Sequence, residues 1–85
     1  MDKLNTPQTE VLVCLNSIDK VKKFVNLTGG IDEPMDMHSG RYVIDAKSIM
    51  GIFSLDLSKN INMTIYADTI RAVEIKTILK DYIVE

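Results

Sequence analysis

The sequence predicts an α+β domain in which strands and helices follow one another as βαββαβα and the helices cover one face of the sheet. Three observations lead there. Val11-Leu12-Val13-Cys14-Leu15 is a short β-branched and aliphatic run, and Ile61-Asn62-Met63-Thr64-Ile65-Tyr66-Ala67 alternates strictly between apolar and polar or small side chains. Three further segments carry apolar residues at helical spacing. Amphipathic helices of this kind can all bury their stripes against the same side of a sheet, which leaves its other face open.

Taken in order, residues 1–9 are polar, contain Pro7 and read as a flexible N-terminal tail. Glu10 to Leu15 reads as a first strand covered on both faces or nearly so. Asn16-Ser17 supplies a helix cap, because a short side-chain oxygen can accept from the free N–H groups of a first turn. A helix follows over about 18–28, with Ile18, Val21, Phe24, Val25 and Thr28 on its buried side and Lys20, Lys22 and Lys23 pointing away. Gly29-Gly30 ends it.

Met35-Asp36-Met37 and Tyr42-Val43-Ile44 flank Ser39-Gly40, which suits a hairpin turn, so these two strands are antiparallel. Lys47 to about Asp56 makes a short helix with Ser48 as its cap and Ile49, Ile52 and Phe53 toward the core; Gly51 weakens it. Residues 61–67 form the clearest strand, with Ile61, Met63, Ile65 and Ala67 on one face. The last helix starts near Asp68 or Thr69, buries Ala72, Ile75, Leu79 and Tyr82, and runs to about Ile83.

With 85 residues, 46% of them hydrophobic and 26% charged, the chain matches an ordinary single globular domain. Its net charge of −2, with the two signs interspersed, gives no basic footprint for nucleic acid. No apolar run approaches the ~20 residues of a membrane span, and no secretory signal pattern opens the chain. Cys14, the single cysteine, lies in an apolar run and reads as a buried, reduced thiol, so the cytoplasm is the expected compartment. One histidine and one cysteine make no metal-ligand set, and no cofactor is expected. His38 reads as a surface residue of the hairpin turn.

The stretch Ala46-Lys47-Ser48-Ile49-Met50-Gly51-Ile52-Phe53-Ser54-Leu55 closely resembles the serine-site segment of the histidine-containing phosphocarrier (HPr) family of the sugar phosphotransferase system. That segment is typically Lys-Ser-Ile-Met-Gly, two apolar residues, Ser and Leu. Residues 62–67 and the helix after them look like the family's last strand and helix, so the resemblance covers about residues 10–84 of an HPr-like domain spanning 10–85. It implies an open-faced β-sandwich: a four-stranded antiparallel sheet in the order 1-4-2-3 with three helices on one face.

The family's second motif, Gly, an apolar residue, His, Ala, Arg, Pro, Ala, is not kept. Aligned on Val21, Phe24 and Val25, the histidine position holds Ser17, the arginine position Asp19 and the proline position Lys20; a shift of one residue offers Asn16 instead. An imidazole accepts phosphate through a nitrogen lone pair and releases it readily. A serine hydroxyl with no neighbouring base does neither, and Asp19 reverses a charge that would steady phosphate. No catalytic residue is therefore expected.

The resemblance implies a protein of the sugar phosphotransferase system that is a non-carrier, regulatory or partner-binding variant. Its partners would be proteins of that system or its regulators, including a serine kinase. Ser48 matches the family's regulatory phosphorylation position, although a helix cap alone also accounts for it. Lys47, Ser48, Ile49 and Met50 match the docking segment, with Met50 turned away from the core and Ile49 ambiguous. Lys20 and Lys23, with Lys22, are either a solvated face or a patch for an acidic partner. Two alternatives stay open: a family member that works through phosphorylated Ser48, and a ferredoxin-like module with a small molecule on the open sheet face. The sequence leaves the oligomeric state unspecified.

Overall fold

The computed structural model describes residues 6–84. The elements are β1 (Gln8–Val13), α1 (Ile18–Gly29), β2 (Met35–Ser39), β3 (Tyr42–Asp45), α2 (Ile49–Phe53), β4 (Ile61–Tyr66) and α3 (Thr69–Ile78). The strands form one sheet in the order β1-β4-β2-β3, every neighbouring pair antiparallel. The α+β class, the sheet order and the three helices are those expected.

The strands' period of two sorts their side chains. Val11, Val13, Met35, Met37, Ile61, Met63 and Ile65 point into one continuous core with Val21, Phe24, Ile52, Ile75 and Leu79. Facing away from the helices, Tyr66 donates to an Asp36 carboxylate oxygen at 3.1 Å, and His38 Nε2 lies 3.0 Å from Thr64 Oγ1. His38 is thus a half-buried strand residue of the open face rather than a surface turn residue, since β2 runs on to Ser39 and the hairpin bends two residues after His38, around Gly40, whose φ is +58°.

The first strand starts at Gln8, two residues before the expected Glu10, because β4 extends to Tyr66 and supplies pairing partners for Gln8 and Thr9. Residues 1–5 of the expected tail lie outside the described residues. The strand is buried on one face only: Leu12 and Cys14, on the open face, are half-buried, so the expectation of a buried thiol is corrected.

Ile18 was expected in the buried stripe of α1, yet it is 63% exposed. The stripe centres on Val21, Phe24 and Thr28, and at about 100° per residue Ile18 lies roughly 90° around the helix from that centre. The same geometry acts in α2, which ends at Phe53: Ile52 alone is fully buried, Ile49 is half-buried, and Phe53 is exposed rather than in the core.

The third helix stops at Ile78, short of the expected Ile83. Leu79 and Tyr82 are buried as anticipated, but in a turn. Beyond it the chain extends along the outer edge of β1: the Cys14 amide donates to the Tyr82 carbonyl at 2.8 Å, the Val84 amide to the Leu12 carbonyl at 2.9 Å, and Ile83 bridges Val13. Tyr82 also meets Phe24 edge to face, ring centroids 5.7 Å apart. Arg71 of α3 donates through Nε to Glu33 of the α1–β2 connection at 3.0 Å, a link between elements distant in sequence.

Candidate functional site

The segment 45–53 is fixed by hydrogen bonds that its own sequence encodes. As β3 ends, the Asp45 side chain accepts the Lys47 amide at 2.9 Å and its carbonyl accepts the Ser48 amide at 3.0 Å, which turns the chain out of the sheet. Ser48 then caps α2, its hydroxyl oxygen accepting the Gly51 amide at 3.1 Å. Gly51 is there for space: a β-carbon would sit 3.1 Å from Ser48 Oγ and 3.4 Å from Ile44. At the far end Ser54 Oγ donates back to the Gly51 carbonyl at 2.5 Å.

Two further bonds anchor the segment to the end of α1. Thr28, fully buried, donates to the Ala46 carbonyl at 3.4 Å, and Lys47 Nζ donates to the Ile31 carbonyl at 2.5 Å. The Lys47 ammonium is therefore already engaged by backbone. Met50 is 77% exposed, and Phe53, at the i+3 position, lies beside it on the solvent side of α2. Ile49, Ile52 and Phe53 also fit a helical stripe, which is why the sequence predicts Phe53 in the core. The Met50–Phe53 spacing was the signal for the opposite face.

Ser17 lies elsewhere. It caps α1, its oxygen accepting the Lys20 amide at 3.1 Å, with exposed Asp19 in the first turn where a carboxylate complements the helix's positive end. Lys20 is half-buried, and Lys22 and Lys23 are exposed. Ala46, two residues before Ser48, touches the last turn of α1 through Thr28, so Ser17 stands about 16 Å from that contact along the helix axis, at 1.5 Å per residue. The two serines cap separate helices and do not converge. His38 lies on the face of the sheet opposite α1, where its ring meets Thr64.

A hollow of about 220 Å³ opens beside Lys47, lined by Asp32, Pro34, Met35, Asp36 and Asp45 as well. It is smaller than the roughly 300–1,000 Å³ of most small-molecule sites. Among the described residues no group of His, Cys, Asp or Glu is arranged to hold a metal ion, and no helix is long and apolar enough to cross a membrane. No protein-family model matches the chain, and no curated protein matches it either.

Proposed function

We propose that this chain is an HPr-like protein that binds proteins of the sugar phosphotransferase system or its regulators through the outward side of α2, without carrying phosphate itself. The observation that carries the reading is the presentation of Met50: a large apolar side chain, 77% exposed beside exposed Phe53, on a helix whose sequence is the family-like Lys47-Ser48-Ile49-Met50-Gly51. Exposed apolar side chains held by a rigid segment are the usual core of a docking surface. The absence of phosphate transfer is supported by the α1 cap, where Ser17 is occupied with the Lys20 amide and the adjacent charge is Asp19.

The test combines the protein with phosphoenolpyruvate and the first enzyme of the system, reading acid-labile phosphate and, separately, binding by calorimetry. No phosphate transfer is expected, with binding that Met50→Asp abolishes. Stoichiometric phosphohistidine, or binding unchanged by Met50→Asp, overturns the reading.

The second reading is regulatory phosphorylation of Ser48. Its support is positional: the hydroxyl lies at the start of α2 and is only half-buried, so a kinase can reach it once the Gly51 bond opens. Mass spectrometry of protein taken from cells under varied nutrients reads it directly, and Ser48 free of phosphate in every condition removes it.

A further inference from the structure

The two edges of the sheet are finished differently. The β1 edge is covered by residues 82–84, whereas β3 at the other edge has no strand beyond it among the described residues. Edge strands are commonly protected by Pro, Lys or a bulge. Tyr42-Val43-Ile44-Asp45 has none of these, its protection being only its four-residue length and the charge of Asp45, and it holds Tyr42 70% and Val43 60% exposed.

The backbone polarity of this edge is set by β2. Ala46 donates to Met35 at 2.9 Å, and alternation along an antiparallel pair turns the polar groups of Ile44 and Tyr42 toward β2 as well. The N–H and C=O of Val43, and the N–H of Asp45, point outward. A strand with outward groups at alternate residues can pair with its own copy about a two-fold axis through Val43.

We infer that β3 is a self-pairing edge: two copies join β3 to β3 antiparallel, Val43 opposite Val43, into one continuous sheet. Every side chain then meets a suitable partner. Arg41, in the turn just before β3, comes beside Asp45 of the other copy, an opposite-charge pair made twice. Tyr42 faces Ile44 of the other copy on the helical face, an aromatic against a β-branched side chain. The Val43 pair exchanges both its backbone bonds, and each Asp45 N–H reaches the Arg41 carbonyl of the other copy. Asp45 spends one carboxylate oxygen on the Lys47 amide, leaving the second for the guanidinium. Sliding the register by two residues in one direction sets Arg41 against Lys47, and in the other it leaves Arg41 against Val43, so charge selects this alignment.

The edge is short, so the dimer is weak and concentration-dependent, below the area of a permanent interface. Sedimentation equilibrium of the full chain over a wide concentration range should show the mass rising from 9.6 kDa toward twice that value, less so at high salt. Val43→Pro removes only an outward N–H and should raise the dissociation constant about tenfold or more while leaving the thermal melt nearly unchanged. Arg41→Glu should act similarly. In a Cys14→Ser background, Val43→Cys should form an intermolecular disulfide under mild oxidation, since paired Cα atoms lie about 5.5 Å apart. Tyr42→Cys should not, because its copy lies beyond about 7 Å in this register. A monomer at all concentrations, a dimer insensitive to Val43→Pro, or equal cross-linking at both positions overturns the inference.

Discussion

The hydroxyl oxygen of Ser48 that accepts the Gly51 amide at 3.1 Å is also the atom a β-carbon on Gly51 would approach to 3.1 Å. The cap and the glycine are therefore one device. Ser48→Ala should cost about 1 kcal/mol. Gly51→Ala should be close to neutral alone, the helix-propensity gain of about 1 kcal/mol being offset by disturbance of the cap. In the Ser48→Ala background the same change should stabilise by about 0.5–1 kcal/mol. Urea denaturation of the single and double variants measures the coupling, and strict additivity would show the residues to be independent.

Arg71 and Glu33 tie α3 to the connection before β2, both side chains about one-third exposed or less. Glu33 Oε1 is buried without a hydrogen-bond partner, so removal of Arg71 strands a partly desolvated carboxylate. Arg71→Ala should destabilise by about 1 kcal/mol, the upper end of what an exposed pair contributes. Added salt should narrow the difference between the two proteins in parallel denaturation curves.

Asp56 is exposed, yet the Ser58 hydroxyl at 2.6 Å and the Ser58 amide at 3.1 Å donate to its Oδ1 and hold the carboxyl below its ordinary value of 3.8, with Lys59 adding to the effect. A folded-state value depressed in this way contributes stability above the unfolded carboxyl's titration, and that contribution is lost as pH falls through the folded value. An NMR titration of the Asp56 carboxyl should give a midpoint below 3.8, moving back up in Ser58→Ala. Equal midpoints in the two proteins would contradict the assignment.

Tyr82 fills the core from outside any helix and holds the final segment against β1. Tyr82→Ala should cost about 3 kcal/mol, in the range for deleting a buried aromatic ring. It should also speed hydrogen exchange at the Cys14 amide, whose acceptor is the Tyr82 carbonyl at 2.8 Å. Tyr82→Phe, which keeps the edge-to-face contact with Phe24, should lose far less.

What could be read from the sequence was chemistry that acts within a few residues. Ser17, Ser48 and Asp68 were recognisable as helix caps and each accepts the amide three residues on. The alternation of residues 61–67 placed Ile61, Met63, Ile65 and Ala67 on the buried face correctly, although Thr64, in the middle of the sheet's other face, is buried as well. Phase was harder. In a helix as short as α2, residues on the flank of a stripe lie within about 100° of its centre, so Ile49 and Phe53 looked as buried as Ile52. In α3 the outward Ile70 and Val73 are apolar too, which blurred its burial pattern. The Lys47–Ile31 and Arg71–Glu33 bonds join residues that only the completed fold brings together. Half of the candidate site was therefore legible, the cap and outward Met50, whereas the commitment of Lys47 to backbone was not.

The closure of residues 82–84 on β1 also sets an order of assembly. Of the four strands of this sheet, β1 is made before the others and has no early partner: Val11 must wait for Met63, and the Leu12 carbonyl for the Val84 amide. Both events close long loops, a topology that slows folding. The hairpin of β2 and β3, whose contacts are local, can form first and present Met35 and Met37 as a surface on which β4 settles, with β1 docking after it. During synthesis β1 is thus an unpaired, apolar strand for most of the chain's length, the state in which a domain of this kind is most open to capture by a chaperone.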